Sequence, residues 1–260
     1  MLDSFTHQAA VVGSIVSSTF GAWRGSLVLH AAKQPPLPIT LYDFEGCPYC
    51  RKVREALTAL HLDVEIKPCP RNGTRFRPEA ERIGGKLMFP LLVDPNTDTV
   101  MYESIDIVAY LFRSYGRGKV PGPYRRSAVQ PLFDALQFAA RGARGILARP
   151  SRAPDEPLHL WSFEGSPYSR LVRERLTELE LPYTLHNLGK EHWKEAGPPQ
   201  RRLLPNPYVP REGGKRYAFW QAHQRVQVPY LEDPNTGAGM FESAEIIAYL
   251  ERTYALPLSK

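Results

Sequence analysis

Cys47 and Cys50, one helical turn apart in the stretch EGCPYC, are the side chains of this 260-residue chain whose type and spacing most directly offer chemistry. Such a pair can cycle between dithiol and disulfide, lie buried as an inert structural pair, or form half of a zinc site. Zinc takes about four ligands, and no second CxxC or paired-histidine spacing completes the set, so no metal is expected. The third cysteine, Cys69 in KPCPRNG, is either a small inert residue or a third redox partner. The six-residue frame returns as EGSPYS at 164–169, with Ser166 and Ser169 in place of the sulfurs. Serine cannot form a disulfide, so the second frame is not a dithiol centre, although its hydroxyl can still cap a helix.

The elements that must position these residues follow from a duplication. LYDFEGCPYCRKVREALTALHL at 41–62 aligns without a gap on LWSFEGSPYSRLVRERLTELEL at 160–181. The match resumes where FPLLVDPNT at 89–97 meets VPYLEDPNT at 228–236, and YESIDIVAYLFRSY at 102–115 meets FESAEIIAYLERTY at 241–254. A period this long signals two duplicated domains rather than a solenoid. In the first copy, Ile39 to Phe44 reads as a strand that Gly46 ends. Pro48 then opens a helix, where its missing N–H is not needed, with Val53, Ala56, Leu57 and Leu60 on the buried face. Asp63 to Lys67 is predicted as a second, parallel strand, 76–88 as a helix, and Leu91–Val93 with Thr99–Tyr102 as a hairpin around DPNTD. A last helix starts at Glu103-Ser104, with Ile107, Val108, Tyr110 and Leu111 inward.

At a helix N-terminus Cys47 faces unpaired N–H groups and the positive end of the helix dipole, which favour thiolate. Cys47 is therefore predicted to be the exposed nucleophile, and Cys50 to resolve a mixed disulfide or stay idle. Asp43 and Glu45 stand just ahead of it and are expected to raise its pKa and repel an anionic ligand. Arg51, Lys52 and Arg54 follow and can compensate or face solvent.

Composition sets the outer bounds: 43% hydrophobic residues and 33 basic against 27 acidic, a net charge of +6. No run of about eighteen apolar residues is present, so no membrane span is expected. The scattered arginines read as a solvated surface, and no nucleic-acid partner is expected. Only three cysteines exclude a disulfide scaffold and suit a reducing compartment. Residues 1–37 read either as a transit peptide or as an amphipathic helix of the repeat, since FGAWRGSLVLH at 20–30 is similar to FAARGARGILA at 138–148. The linker 118–157 holds a second helical run, Gln130 to Leu147. Phe20, Trp23 and Leu27 in one helix, and Phe133, Leu136, Phe138 and Ile146 in the other, are expected to pack on each other or on the opposite domain. The alternative for the first is a peripheral membrane contact with Arg24 and Lys33 toward the headgroups. An insertion at 189–225 distinguishes the second copy, and its Tyr217, Phe219 and Trp220 suit a protein interface or the floor of a ligand cleft.

The order β-α-β-α-β-β-α, with CPYC at the first helix start and Phe89-Pro90 before the third strand, resembles the thioredoxin fold. More narrowly it is similar to glutaredoxins and to the N-terminal domain of soluble glutathione transferases, twice, over 38–117 and 158–256. The resemblance implies an α/β chain of two tandem thioredoxin-like domains, each preceded by an amphipathic helix, with Pro90 and Pro229 both cis. Tandem proteins of the plastid and cyanobacterial kind are the relatives it suggests, and with them a plastid or cyanobacterial-cytoplasm location, otherwise a cytoplasmic one. It also implies glutathione, held near Cys47 and Tyr49 by the backbone of Phe89 before Pro90 and by Glu103-Ser104 at the last helix. The second-domain set is Ser166, Tyr168, Val228, Pro229, Glu242 and Ser243. Plain helix capping accounts for both Glu-Ser pairs equally well. Ser166 resembles the hydroxyl of serine-type transferases, or else simply caps its helix. Asp43 and Glu45 stand where glutaredoxins place a lysine. The all-helical domain of full transferases finds no counterpart in this chain, so a broad detoxifying transferase is not expected.

Two functions remain. One is a glutathione-linked thiol–disulfide oxidoreductase using Cys47, acting with glutathione on a protein disulfide, its second domain kept for binding. The other is a non-catalytic interaction protein, or a holder of a glutathione-ligated iron–sulfur cluster or haem. In either, a protein partner would dock through 189–225 or the flanking helices.

Overall fold

A computed structural model describes residues 4–125, 135, 136, 139, 142, 144–192, 195 and 210–257. Its first copy runs β1 (Thr40–Asp43), α2 (Pro48–Ala59), β2 (Val64–Pro68), α3 (Arg77–Gly84), β3 (Leu91–Asp94), β4 (Thr99–Met101) and α4 (Ser104–Ser114), after a leading helix α1 (Ser4–Phe20). The second copy repeats the order as β5 (Leu158–Ser162), α5 (Pro167–Glu178), β6 (Tyr183–Asn187), α6 (Lys215–His223), β7 (Tyr230–Asp233), β8 (Ala238–Phe241) and α7 (Ser243–Tyr254). Each copy is a thioredoxin-like domain. Helices α2 and α5 start alike: proline fills the first turn, and the preceding side chain caps it, Cys47 Sγ accepting from the Cys50 N–H and Ser166 Oγ from the Ser169 N–H, both at 3.3 Å. The Phe89-Pro90 and Val228-Pro229 peptide bonds are both cis.

The two sheets are one. Strand β2 pairs antiparallel with β6, Glu65 opposite Thr184, and the order across the molecule is β4-β3-β1-β2-β6-β5-β7-β8. An unpaired edge strand invites unwanted pairing; here each domain's β2-type edge is covered by the other's. On one face of this sheet α2, α4, α5 and α7 enclose a single apolar core that draws Leu41, Leu57, Leu62 and Ile107 from the first copy and Leu160, Leu176, Leu181 and Ile246 from the second. Burying each such side chain stabilises by about 1.5–3 kcal/mol. Tyr110, expected inward, is only half-buried, because its hydroxyl donates to Asp94 at 2.6 Å. Helices α3 and α6 cover smaller clusters on the opposite face, one around Tyr42, Cys69 and Leu91, the other around Leu188, Phe219 and Tyr230.

Between α2 and α5 lies a buried ring of charge. Arg54 reaches Glu164 at 2.9 Å and Glu45 at 3.0 Å, while its counterpart Arg173 reaches the same two carboxylates, each at 3.0 Å. Asp43 also binds Arg54, where the second copy offers Ser162 to Arg173. Threonines extend the symmetry: Thr58 accepts from the Glu164 N–H and Thr177 from the Glu45 N–H.

The segments ahead of the domains cross over. Residues 24–28 run along the second copy, with the Gly165 N–H donating to Gly25 O and Leu27 bridging Lys190; residues 144–148 run along the first, with the Gly46 N–H donating to Gly145 O and Leu147 bridging Arg71. Both Gly46 and Gly165 are needed for this approach, since a β-carbon would run into Ile146 in one case and Ser26 in the other. The expected helix Val11–Leu29 therefore ends at Phe20, and Ile146 and Leu147 belong to an extended strap rather than a helix. Phe133, Phe138 and most of the run Gln130–Leu147 lie outside the described residues. Helix α1 does pack on the second domain, but through Val11, Ser14, Ser17 and Ser18, leaving Phe20, Trp23 and Leu27 exposed, contrary to expectation. The reason is polar: Arg170 donates to Ser14 O and Oγ, Arg51 to Ser17 Oγ, and Ser18 to Gly165 O. No helix among the described residues is long and apolar enough to cross a membrane.

Candidate functional site

All three cysteines are free and buried. Cys47, expected to be exposed, is only 3% accessible, because its frame faces the other domain and the strap at 144–147 closes over Gly46. Its thiol is nevertheless held below the usual cysteine range, chiefly by a hydrogen bond from the Cys50 thiol, with the Cys50 and Tyr49 N–H groups and the Arg54 charge outweighing burial. Cys50 is pushed the other way by burial and by the Cys47 sulfur it serves, and burial pushes Cys69 up as well. The two sulfurs are thus differentiated, the Cys47 thiol shifted downward and the Cys50 thiol upward. Asp43 and Glu45 do not act as expected on Cys47. Their carboxylates are turned into the Arg54–Arg173 ring, and the arginines answer their charge. Arg51 also points into the interface, paired with Glu55 at 3.0 Å.

The remaining first-domain candidates are placed as follows. Tyr49 is exposed beside the motif, with Lys52 over its ring. Phe89 meets Phe44 edge-on, centroids 6.3 Å apart, and Phe44 O accepts the Cys47 N–H. Glu103 takes a left-handed backbone, φ 66°, immediately ahead of α4, and Ser104 is buried at that helix's start. Pro90 is buried. Arg77, at the start of α3, was not singled out from the sequence. Its guanidinium lies over the Phe89 ring at 5.1 Å and donates to Cys69 O and Pro70 O, and among the described residues it meets no carboxylate. A signal for it existed, since Arg77 and Arg216 stand equally far ahead of the two cis prolines. A cation, a hydroxyl at a helix N-terminus, a carboxylate and a thiolate complement the carboxylates, ammonium and thiol of glutathione.

In the second domain the corresponding groups are already engaged. Ser166 is buried and accepts from Ser169 Oγ at 2.9 Å, acting as a cap; Tyr168 is exposed; Val228 packs beside Phe219 and Tyr230; Pro229 is buried. Ser243 Oγ bonds His7 of α1, and Glu242, also at φ 66°, bonds Gln227. Arg216 is bound by Glu195. Phe219, expected at a protein interface or on the floor of a ligand cleft, is core beside Val228 and Tyr230, since 215–223 is this copy's version of α3 rather than part of an open insertion; Tyr217 and Trp220 are half-buried with their rings 5.8 Å apart. Residues 193, 194 and 196–209 of the insertion lie outside the described residues.

A family model described as glutathione S-transferase, N-terminal domain, matches residues 41–121 and again 160–258, more than half of the chain. No curated protein and no solved structure matches it. Two copies of the fold, each with its cis proline and its Glu-Ser helix start, agree with that match; the chain belongs to the family of glutathione S-transferase N-terminal domains, which it carries twice.

Proposed function

We propose that the protein is a glutathione-linked thiol–disulfide oxidoreductase whose chemistry resides in the first domain. The observation that carries this is the Cys47 sulfur, which accepts hydrogen bonds from the Cys50 N–H and thiol at the start of α2 and so favours thiolate. Cys47 attacks one sulfur of a substrate disulfide, displacing the other as thiolate and forming a mixed disulfide. Cys50, one turn on, is placed to attack that bond in turn, releasing the second substrate thiol and leaving a Cys47–Cys50 disulfide. Bound glutathione would supply the reducing thiols that return this disulfide to the dithiol. Arg77, Glu103 and Ser104 are the residues that would hold it. The second domain lacks sulfur at Ser166 and Ser169 and serves as the partner that completes the buried ring. A glutathione-coupled disulfide reduction assay tests the reading: wild type should turn over, Cys47→Ser should not, and equal rates would overturn it.

The burial of Cys47 favours a second reading, a non-catalytic protein that uses glutathione-type folds for assembly. It expects no turnover by wild type and unchanged partner binding by Cys47→Ser.

A further inference from the structure

The two copies present the same ligand-facing groups in opposite states. In the second domain His7 Nε2 lies 3.2 Å from Ser243 Oγ, Gln227 Nε2 donates to Glu242 at 2.5 Å, and Arg216 Nε donates to Glu195 at 2.9 Å. Glu195 is itself set in place, accepting from the N–H groups of Glu191 at 2.6 Å and His192 at 3.3 Å. Burial lowers the His7 pKa, so a neutral imidazole faces the serine. In the first domain Ser104, Glu103 and Arg77 bond to no polar side chain among the described residues. The cause is legible in the alignment: Met88 stands where the second copy has Gln227, and Glu195 belongs to the stretch with no first-copy counterpart.

We infer that the second domain's ligand site is filled by the chain's own side chains, and that the protein takes one glutathione-type ligand per chain, in the first domain. The three internal groups imitate a ligand piece by piece. A carboxylate sits on the arginine, an amide donor on the glutamate and an imidazole on the serine. They come from two separate parts of the chain, α1 and the segment 189–227. An incoming tripeptide would have to displace three hydrogen bonds, one of them a buried ion pair whose rupture is costly. In the first domain Arg77, Glu103 and Ser104 meet no such side chain among the described residues. The inference rests on the glutathione reading above and adds where, and how many times, the ligand binds.

Titration calorimetry of the full chain with S-methylglutathione, which can form no mixed disulfide, tests it. Wild type should bind one equivalent, and Arg77→Ala should weaken binding by about tenfold or more. The combined variant His7→Ala, Gln227→Ala, Glu195→Gln should gain a second equivalent. Hydrogen exchange on the unmutated chain supplies a readout independent of that variant's folding: the ligand should protect 89–105 and leave 228–243 unchanged. Two equivalents on wild type, protection of both segments, or one equivalent on a folded combined variant would overturn the closed second site while leaving the glutathione reading standing. No binding by wild type would overturn both.

Discussion

Replacing Glu45 by Gln tests the idea that the repeated Glu-Gly frame is held in both copies by a shared ring rather than by local turn geometry. Glu45 takes Arg54 at 3.0 Å and Arg173 at 3.0 Å, and its side chain is 1% exposed, as is that of Arg54, while Arg173 is fully buried. Gln keeps the size and one acceptor but removes the charge. Arg54 retains two carboxylates, Asp43 and Glu164, whereas Arg173 keeps one, Glu164, beside its neutral acceptor Ser162. Breaking a buried pair by deleting one partner costs about 3–5 kcal/mol, because the other charge stays desolvated, and an exposed pair is worth about 0–1 kcal/mol. Burial decides between these, so Glu45→Gln should lose about 3–5 kcal/mol in urea unfolding followed by circular dichroism. The m-value should not change, since the domains share one sheet and one core. The double variant Glu45→Gln, Arg173→Met should recover a good part of the loss, with a coupling of about 2 kcal/mol or more in the cycle. The exposed Glu103→Gln is the control and should stay within about 0.5 kcal/mol of wild type. A Glu45→Gln loss below about 1 kcal/mol, or additive effects in the double variant, would refute the ring as a determinant of domain pairing.

Three further outcomes are expected. Brief iodoacetamide treatment followed by mass-spectrometric mapping should label Cys47 before Cys50 or Cys69, because its thiol alone is shifted toward thiolate while burial raises the other two; first labelling of Cys69 would contradict the assignment of the nucleophile. Burial pushes His61 down to about 3, so the unfolded chain takes up this proton first and stability falls as pH drops from 6.5 toward 3, by about 3 kcal/mol between pH 6.5 and 4. Asp43, raised to about 6 by burial, works the opposite way from pH 6 to 3.8, so the comparison must be with His61→Asn, which suits the left-handed backbone there (φ 58°) and should have a shallower acid slope; equal slopes would dismiss His61. Deleting residues 1–30 removes the buried Val11 and the Ser14 partner of Arg170, and should lower the melting temperature by roughly 10 °C, whereas an unchanged melt would mean that α1 contributes nothing to the fold.

Much of the fold is local and therefore legible in one dimension. Strand and helix positions followed from apolar periodicity and from Pro48, Gly46 and the DPNT turns, because each depends on residues a few positions apart. Internal repetition then doubled every signal, and the family resemblance tied Phe89-Pro90 and Glu103-Ser104 to one ligand. Charge neighbours were not legible. Asp43 and Glu45 are close to Cys47 in sequence, but a charge acts along the nearest path in space. That path leads to Arg54 and, across the domain boundary, to Arg173. The sequence by itself determined two thioredoxin-like domains, a dithiol in the first and hydroxyls in the second. Only the tertiary structure decided that β2 and β6 join the sheets, that each strap covers the other copy's motif, and that Cys47 is buried. Pairing of two strand edges and closure of two straps are long-range choices, set by how the duplicated surfaces complement each other, and no pattern within either repeat encodes that fit.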